Sequence, residues 1–153
     1  MIRPNSAFCI LHFAFLGACA GGAPSPASLD VKNDTCAHCR MAVSDRRFAA
    51  QIVAPGEEAL FFDDLGCLRE YLSASGPTVP DEAVVYVADH RTAEWVDARQ
   101  AVFTRRANLA TPMASGLMAH RDTSSLKEDR EAQGAVLVAP GEILFGRGGG
   151  GGR

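Results

Sequence analysis

Cys36-Ala37-His38-Cys39-Arg40-Met41 places two thiols, an imidazole and a thioether within six consecutive residues. Thiolate with thioether is the donor pairing that selects a soft ion, Cu(I) above others. C-x-x-C alone has three further readings. A redox dithiol normally opens a helix within a βαβ unit, whereas here a polar segment precedes the motif and the chain after it leads to a hairpin. Half of a zinc site needs two more N or S ligands, and the chain has no second C-x-x-C and no H-x-H. A structural disulfide fits an oxidising compartment, although the loop it closes is short.

Other soft groups lie further along. Met113 sits in Thr111-Pro112-Met113-Ala114-Ser115-Gly116, a loop rather than an amphipathic face, which makes it a candidate to close the site from the second half. Met118 and His120 are two apart on a candidate strand and so share a face. With His38 they form a reserve of possible ligands, while His90 reads as a surface residue. Cys67 falls in the first turn of a candidate helix, where the N-terminal field lowers thiol pKa values. It also reads as a small buried hydrophobe.

These residues need elements to carry them. Residues 48–53 and 59–62 read as strands joined by the Pro55-Gly56-Glu57-Glu58 turn, hence a hairpin. Asp63-Asp64 can cap a helix in which Leu65, Leu68, Tyr71 and Leu72 share a face, ending near residue 74 before Gly76-Pro77. Strands at 83–88 and 94–97 follow, the latter carrying Trp95 as a core residue. The second half reads as strands at 101–105 and 116–120, then a helix capped by Ser124 or Ser125 and running to residue 133, with Gly134 after it. A strand at 135–138, a Pro140-Gly141 turn and an apolar piece at 143–145 complete it. Each half reads strand, strand, helix, strand. The fold class expected is α+β: two similar small ββα-type units packed together, at 35–97 and 98–145.

Composition limits the function classes. The 153 residues are 47% hydrophobic with a formal net charge of -3. Lys and Arg form no basic stripe, which argues against a nucleic-acid partner. No apolar run reaches the roughly 18–20 residues that span a bilayer. Residues 1–18 read as an export signal: Arg3, an apolar core at 7–16, then small residues. Leu16-Gly17-Ala18-Cys19 resembles a bacterial lipobox, in which Cys19 becomes the lipidated first residue. Residues 19–34 read as the anchored Cys and a tether, since 20–28 are almost all Ala, Gly, Pro and Ser. Residues 146–153 read as a disordered Gly-rich tail. With Cys9 removed and Cys19 acylated, three working thiols remain: Cys36, Cys39 and Cys67.

In this order, the lipobox, the tether, Cys36-x-x-Cys39-x-Met41, Phe62-Asp63-Asp64-x-x-Cys67, Trp95-Val96-Asp97-Ala98 and Pro112-Met113-x-Ser115-Gly116 resemble the NosL family. The resemblance runs from Cys19 to about Phe145. It implies a non-enzymatic lipoprotein on the periplasmic side of a bacterial membrane. Such a protein binds Cu(I) and helps deliver copper to nitrous oxide reductase, together with an accessory transporter complex. It implies two related ββα-type units like those of organomercurial lyase. Cys36, Cys39, Met41 and Met113 are the ligands expected. The chain departs from the family at His120, where an aromatic residue is common, in its weakly charged start and in its tail. The competing reading is a membrane-anchored thiol–disulfide oxidoreductase using Cys36 and Cys39.

Overall fold

The computed structural model describes residues 22–74 and 79–145. The signal, Cys19, the Gly76-Pro77 stop and the Gly-rich tail lie outside the described residues.

The hairpin forms where the alternation and the turn place it. Strands β1 (Ala50–Val53) and β2 (Leu60–Phe62) pair antiparallel, with Ala50 opposite Phe62 and Ile52 opposite Leu60. β1 also pairs with β3 (Val84–Ala88), and β3 with β4 (Trp95–Asp97), giving a four-stranded antiparallel sheet in the order β2-β1-β3-β4. All four residues of β1 are buried because both faces of this central strand are covered. Ala50 and Ile52 join the main core. On the other face, Gln51 bonds the backbone of Ala27 in both directions, and its cross-strand neighbour Tyr86 donates to the Pro24 carbonyl. Residues of the expected tether are therefore fastened across the sheet.

The second sheet is three-stranded and antiparallel, in the order β6-β5-β7, from β5 (Val102–Arg105), β6 (Leu117–His120) and β7 (Val136–Val138). Among the described residues three α-helices accompany the sheets: α1 (Leu65–Ser73), α2 (Thr123–Glu128) and α3 (Pro140–Leu144). The architecture is mixed α+β with two sheets. Phe62, Leu65, Leu68 and Val87 from the first half share one core with Phe103, Leu117, Val138 and Ile143 from the second.

Three expectations need correction. α2 is capped by Asp122, whose carboxylate accepts from the Ser124 and Ser125 N–H groups, and not by either serine. A carboxylate outcompetes a hydroxyl there because its charge also complements the helix dipole. α2 stops at Glu128 and does not reach residue 133. Asp129 takes extended backbone and caps a separate 3-10 turn, Arg130–Ala132. Finally, Pro140-Gly141 opens α3, which Pro suits because its fixed φ and missing N–H cost nothing at the first helical position.

Gly116 directly precedes β6 with φ 66°, and a Cβ there would stand 2.6 Å from the Arg106 carbonyl oxygen. Gly116→Ala is expected to destabilise the protein by at least about 1–2 kcal/mol from the backbone alone. Urea denaturation followed by circular dichroism measures it.

Candidate metal centre

The segment that carries the soft ligands folds back on itself. Thr35 and Ala42 form an antiparallel bridge, the Cys36 N–H donates to the Met41 carbonyl at 2.8 Å, and the Arg40 N–H donates to the Cys36 carbonyl at 3.0 Å. Arg40 completes the reversal at φ 67°. The loop is laid against the end of β2 by a bridge between Cys36 and Phe61 and by the Ala37 N–H donating to the Phe61 carbonyl. That contact brings both thiols to the junction between β2 and α1, where Asp63, Asp64 and Cys67 reside.

Ligand atoms of Cys36, Cys39, Asp63 and Cys67 all lie within 4.8 Å of one another. The three cysteines are free thiols; Cys36 and Cys67 are buried and Cys39 is half-buried. The Cys39 thiol donates to the Asp63 carboxylate, with Sγ 3.5 Å from Oδ1 and 3.6 Å from Oδ2. Burial is the main influence that pushes the Cys36 thiol above its ordinary pKa, and the backbone around Cys39 and Asp63 pulls the other way. Cys67 is pushed up further, first by burial and then by its hydrogen bond with Asp63 and its closeness to Cys36. The expected lowering of the Cys67 pKa at a helix N-terminus is overridden, because desolvation in a core outweighs half a unit of dipole charge.

Asp63 and Asp64 divide their work. Asp64 is the helix cap: its Oδ1 accepts from the Gly66 N–H at 2.6 Å. Its Oδ2 accepts from the Thr111 hydroxyl at 2.7 Å and from the Met113 N–H at 3.0 Å. Gly66 lets the same loop approach, since a Cβ there would meet the Ser115 Cβ at 2.9 Å. The Met113 backbone is thus held at the head of α1, one residue from Asp63. The Met113 and Met41 side chains are 43% and 55% exposed. His38 is exposed on the loop.

The structure does not bring the remaining reserve ligands to the thiols. Met118 is buried against Phe48 and Ala132. His120 bonds Asp129 through Nε2 at 3.0 Å. His90 is not on the surface: it is 2% exposed and bonds the same carboxylate through Nδ1 at 2.6 Å. Trp95 is half-buried, beside Leu29, Val43 and Ala49, with the Arg46 guanidinium over its ring. Asp63 was missed as a site residue because both aspartates read as caps. Successive residues in extended chain point to opposite sides, so only one of the pair could cap, and that signal was available.

Metal binding here competes with protons. The raised thiols are protonated at neutral pH, so loading a thiophilic ion must release protons. Apparent affinity is expected to rise with pH, about tenfold per unit for each thiol that ionises on binding, as read by competition titrations at several pH values. For the metal-free protein the sign is opposite. A thiol pKa raised on folding gives stability that is present below the ordinary thiol value of 9.0 and is lost as pH rises beyond it.

Residues 26–143 match the family model described as NosL. No curated protein and no solved structure matches the chain.

Proposed function

The chain belongs to the NosL family, whose members are chaperones and not catalysts, and from that premise we propose that it carries Cu(I) at the thiol cluster and passes it on. The observation that carries this reading is the convergence of Cys36, Cys39 and Cys67 under the Asp63 carboxylate. Three soft donors in one place favour Cu(I) over harder ions. Asp63 serves as the acceptor for the Cys39 proton and not as a copper ligand, since a carboxylate oxygen is a poor partner for a soft ion. Met41 and Met113 are both exposed, one on the loop and one on the segment bonded to Asp64. They are the groups that would meet the ion as it enters or leaves.

The rest follows the family. The copper is cargo for nitrous oxide reductase, handed over with its accessory transporter complex. The chain works on the periplasmic side of a membrane, held through a lipid on Cys19. None of the described helices is long and apolar enough to cross a membrane, which suits attachment by an anchor. The two halves are read as related ββα-type units, supported by the strand order β2-β1-β3 within the first sheet, which β4 extends, and β6-β5-β7 in the second.

X-ray absorption at the copper edge of the Cu(I)-loaded protein tests the site. Two or three sulfur neighbours are expected, with the count falling by one in Cys39→Ser. A first shell of nitrogen and oxygen alone sinks the proposal. The oxidoreductase alternative is disfavoured locally, since Cys36-x-x-Cys39 closes a reversed loop and does not open a helix.

A further inference from the structure

His90, His120 and Asp129 come from three separate elements: the segment after β3, the end of β6 and the break after α2. One ligand atom of each lies within 4.8 Å of the others, and all three residues are buried. The Asp129 Oδ2 is reached by His90 Nδ1 at 2.6 Å and His120 Nε2 at 3.0 Å, while Oδ1 is occupied by the Glu131 N–H at 2.8 Å. The His90 backbone is locked to β6 through the Ala119 carbonyl at 2.8 Å. Two imidazoles and one pre-oriented carboxylate thus point at a common place inside the protein.

The proton arrangement of this trio is poor. A carboxylate only accepts, so both ring nitrogens facing it must carry the protons. With both rings neutral, His90 Nε2 and His120 Nδ1 are left as acceptors, and both are buried without a hydrogen-bond partner. His90 Nε2 also stands 3.3 Å from the Glu131 carboxylate, an acceptor facing an acceptor in that neutral form. A cation among Nδ1 of His90, Nε2 of His120 and Oδ2 of Asp129 moves each ring proton to the remote nitrogen, with no net loss of protons. His90 Nε2 then becomes a donor facing Glu131, the carboxylate–histidine–metal arrangement that fixes tautomer and orientation in metal sites.

We propose that His90, His120 and Asp129 form a second metal site, for a borderline divalent cation of the zinc class, that joins the two sheets. The donor set selects this class. It lacks the sulfur that holds Cu(I), and one carboxylate is too few oxygens for Ca²⁺ or Mg²⁺. The site shares no residue with the thiol cluster of Cys36, Cys39, Asp63 and Cys67.

The full-length chain carrying Cys36→Ala, Cys39→Ser and Cys67→Ala is dialysed against Zn²⁺, and bound zinc is counted and examined by X-ray absorption. One equivalent is expected, with a nitrogen and oxygen shell showing imidazole scattering, and it falls to none when Asp129→Asn is added. If the triple variant does not fold, Co²⁺ bound to the otherwise native chain decides. Its d–d bands should include a part without sulfur charge transfer that disappears in Asp129→Asn. Zinc at below a tenth of an equivalent in the folded triple variant overturns the proposal, as does a signal indifferent to Asp129→Asn. Either result would mean that the trio is a proton-filled network.

Discussion

Replacing Cys36 and Cys39 together by serine is expected to lower Cu(I) affinity by more than the ~10–100-fold that loss of an outer-shell partner costs. Anaerobic competition against a chromophoric Cu(I) chelator measures it. The double substitution removes two of the three thiols at the β2–α1 junction and leaves Cys67 alone with Asp63. A single thiol beside a carboxylate is a weak soft-metal site. Adding Met41→Ala to Cys36→Ser separates the thioether from the thiols. Met41 is exposed and Cys36 wholly buried, so Met41 is expected to contribute mainly to exchange with a partner and Cys36 to retention. Unchanged affinity in the Cys36→Ser and Met41→Ala double variant would discard the cluster as the copper site.

Asp64→Ala is expected to cost about 3–5 kcal/mol of folding stability, as urea denaturation would record it. Three donors lose their acceptor: the Gly66 N–H, the Thr111 hydroxyl and the Met113 N–H. Asp64 itself is fully buried. Each buried donor left unpaired costs about 1–3 kcal/mol, and loss of a cap alone about 1 kcal/mol. Asp64→Asn keeps an acceptor oxygen for part of this set and should recover part of the loss. Asp64→Ala should also free the Met113 segment from the head of α1, visible as faster amide exchange at Met113 in the folded protein.

Local patterns carried much of the fold. The Pro55-Gly56 hairpin, the apolar face of α1 and the strand at 84–88 follow from turn chemistry and periodicity within a few residues. Cys36, Cys39 and Met41 were visible for the same reason, being close in sequence. What failed was decided at a distance. His90 lies in a polar stretch, Asp89-His90-Arg91-Thr92, that reads as surface. Its burial depends on Asp129, thirty-nine positions away. Cys67 looked like a core residue or a reactive helix-start thiol, and only the packing of the 36–41 loop on β2 shows that it is both buried and beside other thiols. The α2 boundary was misplaced because Asp122, Ser124 and Ser125 are all cap-forming residues, and the choice among them rests on charge and on the Asp129 contact.

Asp63 and Asp64 are consecutive residues in extended chain, Asp64 having φ -152° and ψ 143°, with one side chain given to the thiols and the other to the Thr111–Met113 segment. This makes the length of the junction, and not only its composition, part of the site. Deleting or inserting one residue between Phe62 and Leu65 would exchange the two faces, sending the cap toward sulfur and the thiol's acceptor toward the far loop. The exposed turn at 55–58 in the same hairpin carries no such constraint. Variation in chain length should therefore be admitted at one end of β2 and refused at the other, less than ten residues away.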